Sequence, residues 1–411
     1  MTTQSAPLTE GLAQSAQHGL TEHSHGAALA NQPTYGPGSE VPIQTRSERV
    51  RSTKVADFAP VSRREEQWKY TTSEQLAGLD ADELAEYMGD IQAKHPESVV
   101  TSWVGPEHAA FGAAGIPEDR PSAAAWESAA QAYLITLPAN EKLESEVHVA
   151  LNSEDTTPSA MHFIVNALAG SEGTVIIDHK GDAVLAENLE IVVGDNAHLT
   201  VVSIQDWNDG SVHTSAQYAK LGRNATLKHV VVTLGGKVIR VTPTAYLESP
   251  GASVELLGLY FADSGQQMEH RLFVDHAAPN CRSRVTYKGA LQGKNAHTIW
   301  VGDVLIRVAA EGTDTYELNR NLLLTDGCRA DSVPNLEIET GQIEGAGHAS
   351  ASGRFDDEQL FYLQARGITE PEARRLVVRG FLNEIIQQIK NEEVEARLNL
   401  AIENELARSN S

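Results

Sequence analysis

The amino-acid sequence predicts a mainly β protein, in which a right-handed parallel β-helix core has N-terminal and C-terminal α-helical segments. Short runs rich in β-branched residues, each bounded by Gly, Asn, Asp or Pro, fill the centre of the chain without a long amphipathic helix between them. A turn-and-strand pattern repeats there, and the flanking composition favours helices. We therefore divide the chain into a disordered tail (1–45), an N-terminal helical region (46–145), the β-helix core (146–350) and a C-terminal helical domain (351–411).

The repeat is clearest at four small residues that lie 28, 27 and 29 positions apart, namely Ala197, Ala225, Ala252 and Cys281. Each follows an Asn or a Gly, the residue types that best tolerate the left-handed backbone of a tight turn. In the first three copies an apolar residue follows two positions later, where a strand would begin, and the fourth copy departs from this pattern. A turn and a strand recurring at this period indicate the coil of a solenoid.

The type of solenoid follows from what the coils lack. Coils without helices exclude ankyrin-like and leucine-rich repeats, and the absence of a strict six-residue apolar period argues against a left-handed hexapeptide helix. A right-handed parallel β-helix is the best remaining interpretation, with a sandwich of irregular strands as the alternative. Because the open ends of a solenoid present unpaired strand edges, we expect the flanking helical segments to cover them.

The residues before the repeat fall into two parts. Residues 1–45 are rich in Gln, Ser, Thr, Ala, Gly and Pro and are expected to be mobile, with His23 and His25 simply solvated. At Asp80, the string Asp-Ala-Asp-Glu-Leu-Ala-Glu-Tyr-Met has the acidic first turn of a capped helix. Just before it, Trp68 and Tyr70 are expected to anchor a charged segment on the body of the protein.

The C-terminal residues are predicted to form helices. The segment 356–367 begins with acids and ends in Arg-Gly, which suits the helix dipole and a glycine C-cap. Beyond it, apolar residues recur every four positions along one stripe. They are Val377, Phe381, Ile385 and Ile389, followed by Val394, Leu398, Ile402 and Leu406. The stripe either packs on the end of the solenoid or in part docks a partner, and the pattern favours neither.

Charge and cysteine content limit the partners and the compartment. The 411 residues include 56 acidic and 32 basic side chains, a formal net charge of −24. The electrostatic field of this negative charge repels nucleic acid and anionic membrane surfaces, so neither is expected as a partner. With two cysteines, no apolar stretch long enough to cross a bilayer and no basic residue before Arg46, we expect a cytoplasmic protein.

The sequence contains none of the common catalytic motifs. The segment nearest to a Walker A loop, 289–295 (Gly-Ala-Leu-Gln-Gly-Lys-Asn), has the wrong spacing and lacks the hydroxyl that would hold magnesium. A Rossmann fingerprint, a Gly-x-Ser-x-Gly elbow, a His-Glu-x-x-His helix and paired Cys-x-x-Cys motifs are also absent. We therefore expect no enzyme and no catalytic residues, and any nucleotide energy would have to come from another subunit.

Histidines and cysteines remain as candidate ligands. His270 and His276 flank a β-rich segment before the fourth repeat, and His348 lies in a run of small residues that leaves its imidazole accessible. Neutral imidazole is a good ligand for iron. Cys281 occupies the small-residue position of the repeat and Cys328 follows a glycine turn, so both are expected to be structural.

Four longer motifs are the most specific features of the chain. The longest is 316–340 (Tyr-Glu-Leu-Asn-Arg-Asn-Leu-Leu-Leu-Thr-Asp-Gly-Cys-Arg-Ala-Asp-Ser-Val-Pro-Asn-Leu-Glu-Ile-Glu-Thr). The others are 275–283 (Asp-His-Ala-Ala-Pro-Asn-Cys-Arg-Ser), 355–368 (Phe-Asp-Asp-Glu-Gln-Leu-Phe-Tyr-Leu-Gln-Ala-Arg-Gly-Ile) and 66–71 (Glu-Gln-Trp-Lys-Tyr-Thr). Together they resemble the SufB/SufD family of the SUF system for iron–sulfur cluster assembly, and the last resembles the N-terminal signature of its D-type member, SufD.

The resemblance implies a right-handed β-helix with helical ends that acts as a scaffold subunit. It implies a complex with the paralogous SufB and with two copies of the ABC-type ATPase SufC, which contacts the C-terminal helices. A homodimer is an expected form in the absence of SufB. Iron or an iron–sulfur cluster would be held transiently in the complex, no cofactor would be bound stably by this chain alone, and ATP would bind only to the partner ATPase.

One position departs from the family pattern. Many members carry Cys-Ser-His-Gly-Ala-Thr where this chain has Ala346-Gly347-His348-Ala349-Ser350. The histidine matches at His348, but Ala346 offers no thiolate in place of the cysteine. The resemblance therefore implies that His348 contacts iron or a cluster at the SufB interface, whereas a cysteine-based site is not expected on this subunit.

Two other interpretations remain open. A β-helix carbohydrate-active enzyme of the polyuronate-lyase type would place acidic and basic catalytic groups along one face of the solenoid, although such enzymes are usually exported. Alternatively, the chain is the SufB paralogue that carries the nascent cluster. Thiolate ligation would then be poor, because Cys281 and Cys328 lie in expected core turns.

Overall fold

The computed structural model describes residues 49–354 and 357–408, and within them it contains 17 β-strands and four α-helices. The tail expected over residues 1–45, with His23 and His25, lies outside the described residues. None of the helices in the described ranges is both long enough and apolar enough to span a membrane.

The bounds of the elements are as follows. The strands are β1 (Ala85–Glu86), β2 (Asp90–Lys94), β3 (Val100–Val104), β4 (Ala132–Leu137), β5 (Val147–Ala167), β6 (Glu172–Val193), β7 (His198–Trp207), β8 (Val212–Leu221), β9 (Thr226–Thr233), β10 (Val238–Leu247), β11 (Ser253–Ala262), β12 (Gln267–His276), β13 (Arg282–Leu291), β14 (His297–Ile306), β15 (Asp314–Leu323), β16 (Arg329–Ile338) and β17 (Gly345–Arg354). The α-helices are α1 (Arg120–Ser128), α2 (Asp357–Gln364), α3 (Glu370–Ile386) and α4 (Glu392–Arg408). Single turns of 3-10 helix occur at Val55–Asp57, Glu66–Trp68 and Glu74–Leu76.

From β6 onward the strands alternate between two parallel sheets. The odd sheet runs from the first half of β6 through β7, β9, β11, β13 and β15 to β17. The even sheet runs from the second half of β6 through β8, β10, β12 and β14 to β16. Together they form a parallel β-solenoid of about eight turns. The predicted parallel β-helix is confirmed, and the sandwich alternative is wrong because sandwich strands pair antiparallel.

The register of the odd sheet reproduces the sequence repeat. His198 pairs with Thr226, Thr226 with Ser253, and Ser253 with Arg282, which gives spacings of 28, 27 and 29 residues. Before each of these strands the chain adopts the left-handed conformation, with φ between 52° and 75°, at Asn196, Asn224, Gly251 and Asn280. The small residues that follow are buried inside the turn. Asn or Gly precedes a small residue in every copy because the turn needs positive φ and leaves little room.

Helices α3 and α4 pack against the outer side of the odd sheet rather than over an end of the solenoid. One apolar cluster joins the sheet and the helices, and includes Val202, Val230, Val232, Leu257, Leu259, Leu382, Ile385, Ile389, Leu398 and Ile402. The expectation that these helices cover an end is therefore wrong. Because the odd strands carry apolar side chains on both faces, their outer face has to be covered as well.

Residues 46–145 are less helical than predicted. Among those described, α1 is the one α-helix, and Asp119 caps it by accepting a hydrogen bond from the N–H of Ser122 (3.0 Å). The helix predicted from Asp80 is absent, because Ala85 and Glu86 pair with β5 as strand β1. The pairing of β1 with β5 outweighs the local helix propensity of these residues. The boundaries of the four proposed regions stay predictions.

The charged segment before β1 is held by its two aromatic residues, as expected. Trp68 is buried, and the guanidinium of Arg240 on β10 lies 4.2 Å from the centre of its ring system. The ring of Tyr70 meets His297 on β14 edge-on, with 6.1 Å between ring centres. The segment therefore lies along the outer side of the even sheet.

An ion pair fastens α4 to the odd sheet. The carboxylate of Asp178 on β6 is buried and accepts a hydrogen bond from Arg397 on α4 (2.9 Å), and Nζ of Lys180 lies 3.2 Å from it. Burial alone would raise the pKa of Asp178, but the hydrogen-bonded Arg397 and the nearby His148, whose Nε2 lies 3.6 Å away, outweigh burial and hold this pKa below its ordinary value.

We expect Asp178→Asn to lower the free energy of unfolding by about 2 kcal/mol at pH 7, because Arg397 loses a charged partner. Since the pKa of Asp178 is lower in the folded chain, its contribution is complete above about pH 5 and is lost progressively as the pH falls toward the folded pKa. Urea denaturation at pH 7 and at about pH 2.5 measures this. A variant whose deficit is the same at both pH values would contradict the assignment.

Candidate functional site

The predicted ligand His348 lies at the last coil of the solenoid. It is exposed on β17, directly opposite Glu317 on β15. Within the described residues no strand pairs with the far side of β17 or of β16. Among the residues that the structure describes, the C-terminal end of the solenoid is therefore open, and His348 lies at this open end.

The free edge of β17 carries main-chain hydrogen-bonding groups. The N–H of Gly345 donates to the carbonyl of Thr313, the residue that precedes β15 (3.2 Å). Because successive residues of a strand turn their N–H groups to opposite sides, those of Ala346, His348 and Ser350 face away from β15. An edge of this kind is ready to pair with a strand of another chain.

The interior of the solenoid is polar near this end. The side-chain amide of Asn321 donates to the hydroxyls of Ser332 on β16 and Ser352 on β17, each at 3.2 Å. The amide of Asn319 donates to the hydroxyl of Tyr260 (2.9 Å). Since Ser352 points inward and side chains alternate along a strand, His348 also projects from the inward face of β17.

Glu317 is the most unusual side chain at the open end. It is 1% exposed, and neither carboxylate oxygen has a hydrogen-bond partner among the described residues. Burial raises the pKa of Glu317 to about 8, and the charge of Asp303 adds to the rise. A carboxyl group without a partner in such a place is costly, which makes it a candidate for binding a cation.

The other predicted histidines are not near His348. His270 is buried in the interior, where Nε2 lies 3.0 Å from the hydroxyl of Thr233 and its ring stacks on Tyr260. His276 is buried against the hydroxyl of Ser283 (2.9 Å). Burial lowers the pKa of His270 to about 3 and that of His276 to about 4. Both are neutral core residues and do not form an accessible ligand set.

The two cysteines lie in turns, as predicted. Cys281 is buried, and its thiol donates to the carbonyl of Ser249 (3.3 Å). Burial raises the pKa of this thiol, so a thiolate is disfavoured. Cys328 is half-buried, with Sγ 3.3 Å from the carbonyl oxygen of Gly293. Neither cysteine is on β15 or β17.

A second group of ligand-type residues, which the sequence did not reveal, lies inside the solenoid. His179, Glu187 and His213 each bring one ligand atom within 4.8 Å of the others. However, the indole N–H of Trp207 donates to Nδ1 of His213 (3.0 Å), so a neutral His213 carries its proton on Nε2. Burial lowers the pKa of His213 to about 3. The ring is thus neutral, with Nδ1 engaged by Trp207 and Nε2 without a hydrogen-bond partner among the described residues, while His179 and Glu187 are hydrogen-bonded to each other (2.7 Å).

The C-terminal helices offer a separate exposed apolar surface. On α2, Phe361 is 72% exposed and Tyr362 is 55% exposed. Leu376 on α3 and Leu400 on α4 are also largely exposed. Exposed aromatic side chains of this size mark candidate contact points for another protein.

Comparison with known proteins gives consistent matches. A family model described as "SUF system FeS cluster assembly, SufBD core domain" matches residues 149–381. The SufBD family protein ML0594 of Mycobacterium leprae is 48% identical over 377 residues, which covers 90% of this chain and 96% of that relative. The SufBD family protein Rv1462 of Mycobacterium tuberculosis is 49% identical over 369 residues, 88% of this chain and 93% of the relative. A second protein of that organism, Rv1461, is 28% identical over 214 residues, 52% of this chain and 25% of the relative.

Proposed function

The chain belongs to the SufBD family of iron–sulfur cluster assembly proteins, and from this premise we propose that it is the D-type scaffold subunit of a SUF complex. It works without catalytic residues of its own, in the cytoplasm. It pairs with a SufB paralogue, docks the SufC ATPase and takes part in iron entry or cluster assembly. Neither nucleic acid nor a membrane is a partner, which agrees with the net charge of −24.

The pattern of relatives supports a pair of paralogues. In Mycobacterium tuberculosis one SufBD family protein matches this chain at 49% identity along nearly its whole length, and another matches at 28% over about half of this chain. Two diverged members of one family in the same organism are what a pairing of unlike subunits requires. The counterpart of the second copy is the proposed SufB-type partner.

The observation that carries the proposal is the open end of the solenoid. The edge strands β16 and β17 leave main-chain groups and polar interior side chains uncovered among the described residues. A second β-helix that joins its own edge strands here would satisfy these groups. The same surface would allow a homodimer in the absence of the paralogue.

The C-terminal helices supply the proposed ATPase contact. Helices α3 and α4 are anchored on the odd sheet by apolar packing, whereas Phe361 and Tyr362 on α2 face solvent. A rigidly held helical domain with exposed aromatic residues fits a docking role. ATP would then act on this chain only through the partner, by moving that domain.

Iron is the proposed cargo at the open end. His348 offers an imidazole at the proposed interface, and Ala346 excludes the thiolate that many relatives have at that position. Membership in the SufBD family favours this role over a polyuronate lyase. The burial of Cys281 as a thiol favours the D-type subunit over the cluster-bearing SufB.

We expect His348→Ala to leave the complex intact and to lower the iron affinity of the purified complex by about tenfold, because one neutral ligand is lost. Iron is measured by metal analysis after anaerobic purification of the co-expressed complex. His198→Ala, which removes another exposed histidine of the odd sheet, is the control and should retain its iron. Unchanged iron in His348→Ala would reject a role for this imidazole.

A further inference from the structure

Glu317 is a buried carboxyl group in the coil next to the open end of the solenoid. It pairs in register with His348, and both side chains project into the same end of the solenoid. Neighbouring strands of a sheet are about 4.8 Å apart, so a carboxylate and an imidazole on adjacent strands can bind one ion between them. On β17 the inward neighbours of His348 are Ala346 and Ser350, both of which have short side chains.

The space beside the carboxylate is kept clear by a glycine. Gly302 lies on β14, and a Cβ atom placed there would come within 2.7 Å of Oε1 of Glu317. The indole of Trp300 also borders this space, at 2.4 Å from the same Cβ position. Any side chain at position 302 would thus force the carboxylate to move, so its present position depends on this glycine.

We propose that Glu317 and His348 together bind one exchangeable ferrous ion at the open end of the solenoid. This rests on the proposed role in iron entry. A carboxylate oxygen and an imidazole nitrogen suit divalent iron, and the absence of a thiolate at Ala346 favours a single ion over a cluster. Water completes the coordination in the isolated chain, and the remaining sites stay available for transfer to a partner.

A purely structural carboxyl is the competing explanation. A protonated Glu317 would be tolerated in the interior without any ion, but its hydroxyl would still lack a hydrogen-bond acceptor among the described residues. The other buried carboxylates of the described residues differ in this respect. Glu187, for example, accepts hydrogen bonds from His179 (2.7 Å) and Ser215 (2.8 Å). Among the buried carboxylates that the structure describes, the one beside His348 is therefore the one without a hydrogen-bond partner.

The test measures binding of ferrous iron to the purified full-length chain by anaerobic equilibrium dialysis. We expect one site per chain, and Glu317→Gln, which keeps the size of the side chain, should weaken binding at least about tenfold. Asp314→Asn is the matched control, because it removes an acid from the outward face of the same strand, and it should bind iron as the natural chain does.

Thermal unfolding of the same proteins separates binding from folding. Glu317→Gln should unfold near the temperature of the natural chain, because the amide has the size of the carboxyl group, which is mostly uncharged at pH 7 with its pKa raised to about 8. A Glu317→Gln chain that is folded and binds iron normally would overturn the proposal, as would equal weakening by Asp314→Asn. Co-purification with the SufB-type paralogue tests the scaffold role separately: if iron binds but no complex forms, the scaffold role fails while this site stands.

Discussion

Replacing Ser350 with proline is expected to eliminate binding of the SufB-type paralogue while the β-helix itself remains folded. The main-chain N–H of Ser350 faces the free edge of β17, as inferred from the bond between Gly345 and Thr313. Proline removes this donor and places its ring in the path of a joining strand, whereas edge strands tolerate proline on their solvent side. The variant loses one main-chain hydrogen bond and leaves a carbonyl of the partner unpaired. Together these cost about 3 kcal/mol of binding free energy, which lowers the affinity by more than about a hundredfold.

Ser350→Thr is the matched control, because it keeps the N–H and favours an extended strand. The measurement is the amount of paralogue that co-purifies with each tagged chain, alongside circular dichroism of the chain alone. Full recovery of the paralogue with a folded Ser350→Pro chain would mean that β17 is not the pairing edge.

The second large effect is expected on the helical domain. Phe361→Asp should abolish binding of the SufC-type ATPase without lowering the stability of the chain, because the ring is 72% exposed in the structure. Aromatic anchors at protein interfaces contribute about 2–4 kcal/mol, so a buried aspartate in that place should lower the affinity by more than about thirtyfold.

Val308→Asp is the control for the general effect of a new acid at an exposed apolar position. Val308 follows β14, away from the C-terminal helices in sequence, and is 69% exposed. ATPase binding, measured by titration of the purified subunit, should be unchanged by this variant. Equal losses in both variants would assign the effect to charge, and no loss in Phe361→Asp would remove α2 from the docking surface.

The coils could be predicted because their signal is local. Each turn needs a residue at positive φ followed by a small buried residue. Asn196 and Ala197 meet this requirement at two adjacent positions, so the turn can be recognised from the sequence alone. The spacing then fixes which strands become neighbours. The helix predicted from Asp80 failed for the opposite reason, because pairing of β1 with β5 is a contact between distant residues that no local pattern reveals.

The candidate site was predicted only in part, for the same reason. The run of small residues and the family motif both single out His348, but Glu317 becomes significant only when the register places it beside that histidine. Likewise, the apolar stripe of α3 and α4 is evident in the sequence. The surface that it covers is not, because residues from several separate strands of the odd sheet form that surface. The family role itself rests on resemblance and on the matches to known proteins, since no residue pattern alone specifies cluster assembly.

The central claim is that this chain functions as one subunit of a larger scaffold. The most direct measurement is the native mass of the complex obtained when the full-length chain is co-expressed with its SufB-type paralogue and the SufC-type ATPase. We predict a single species with one copy of each β-helix subunit and two copies of the ATPase. A chain that remains a monomer and binds neither partner would contradict the account.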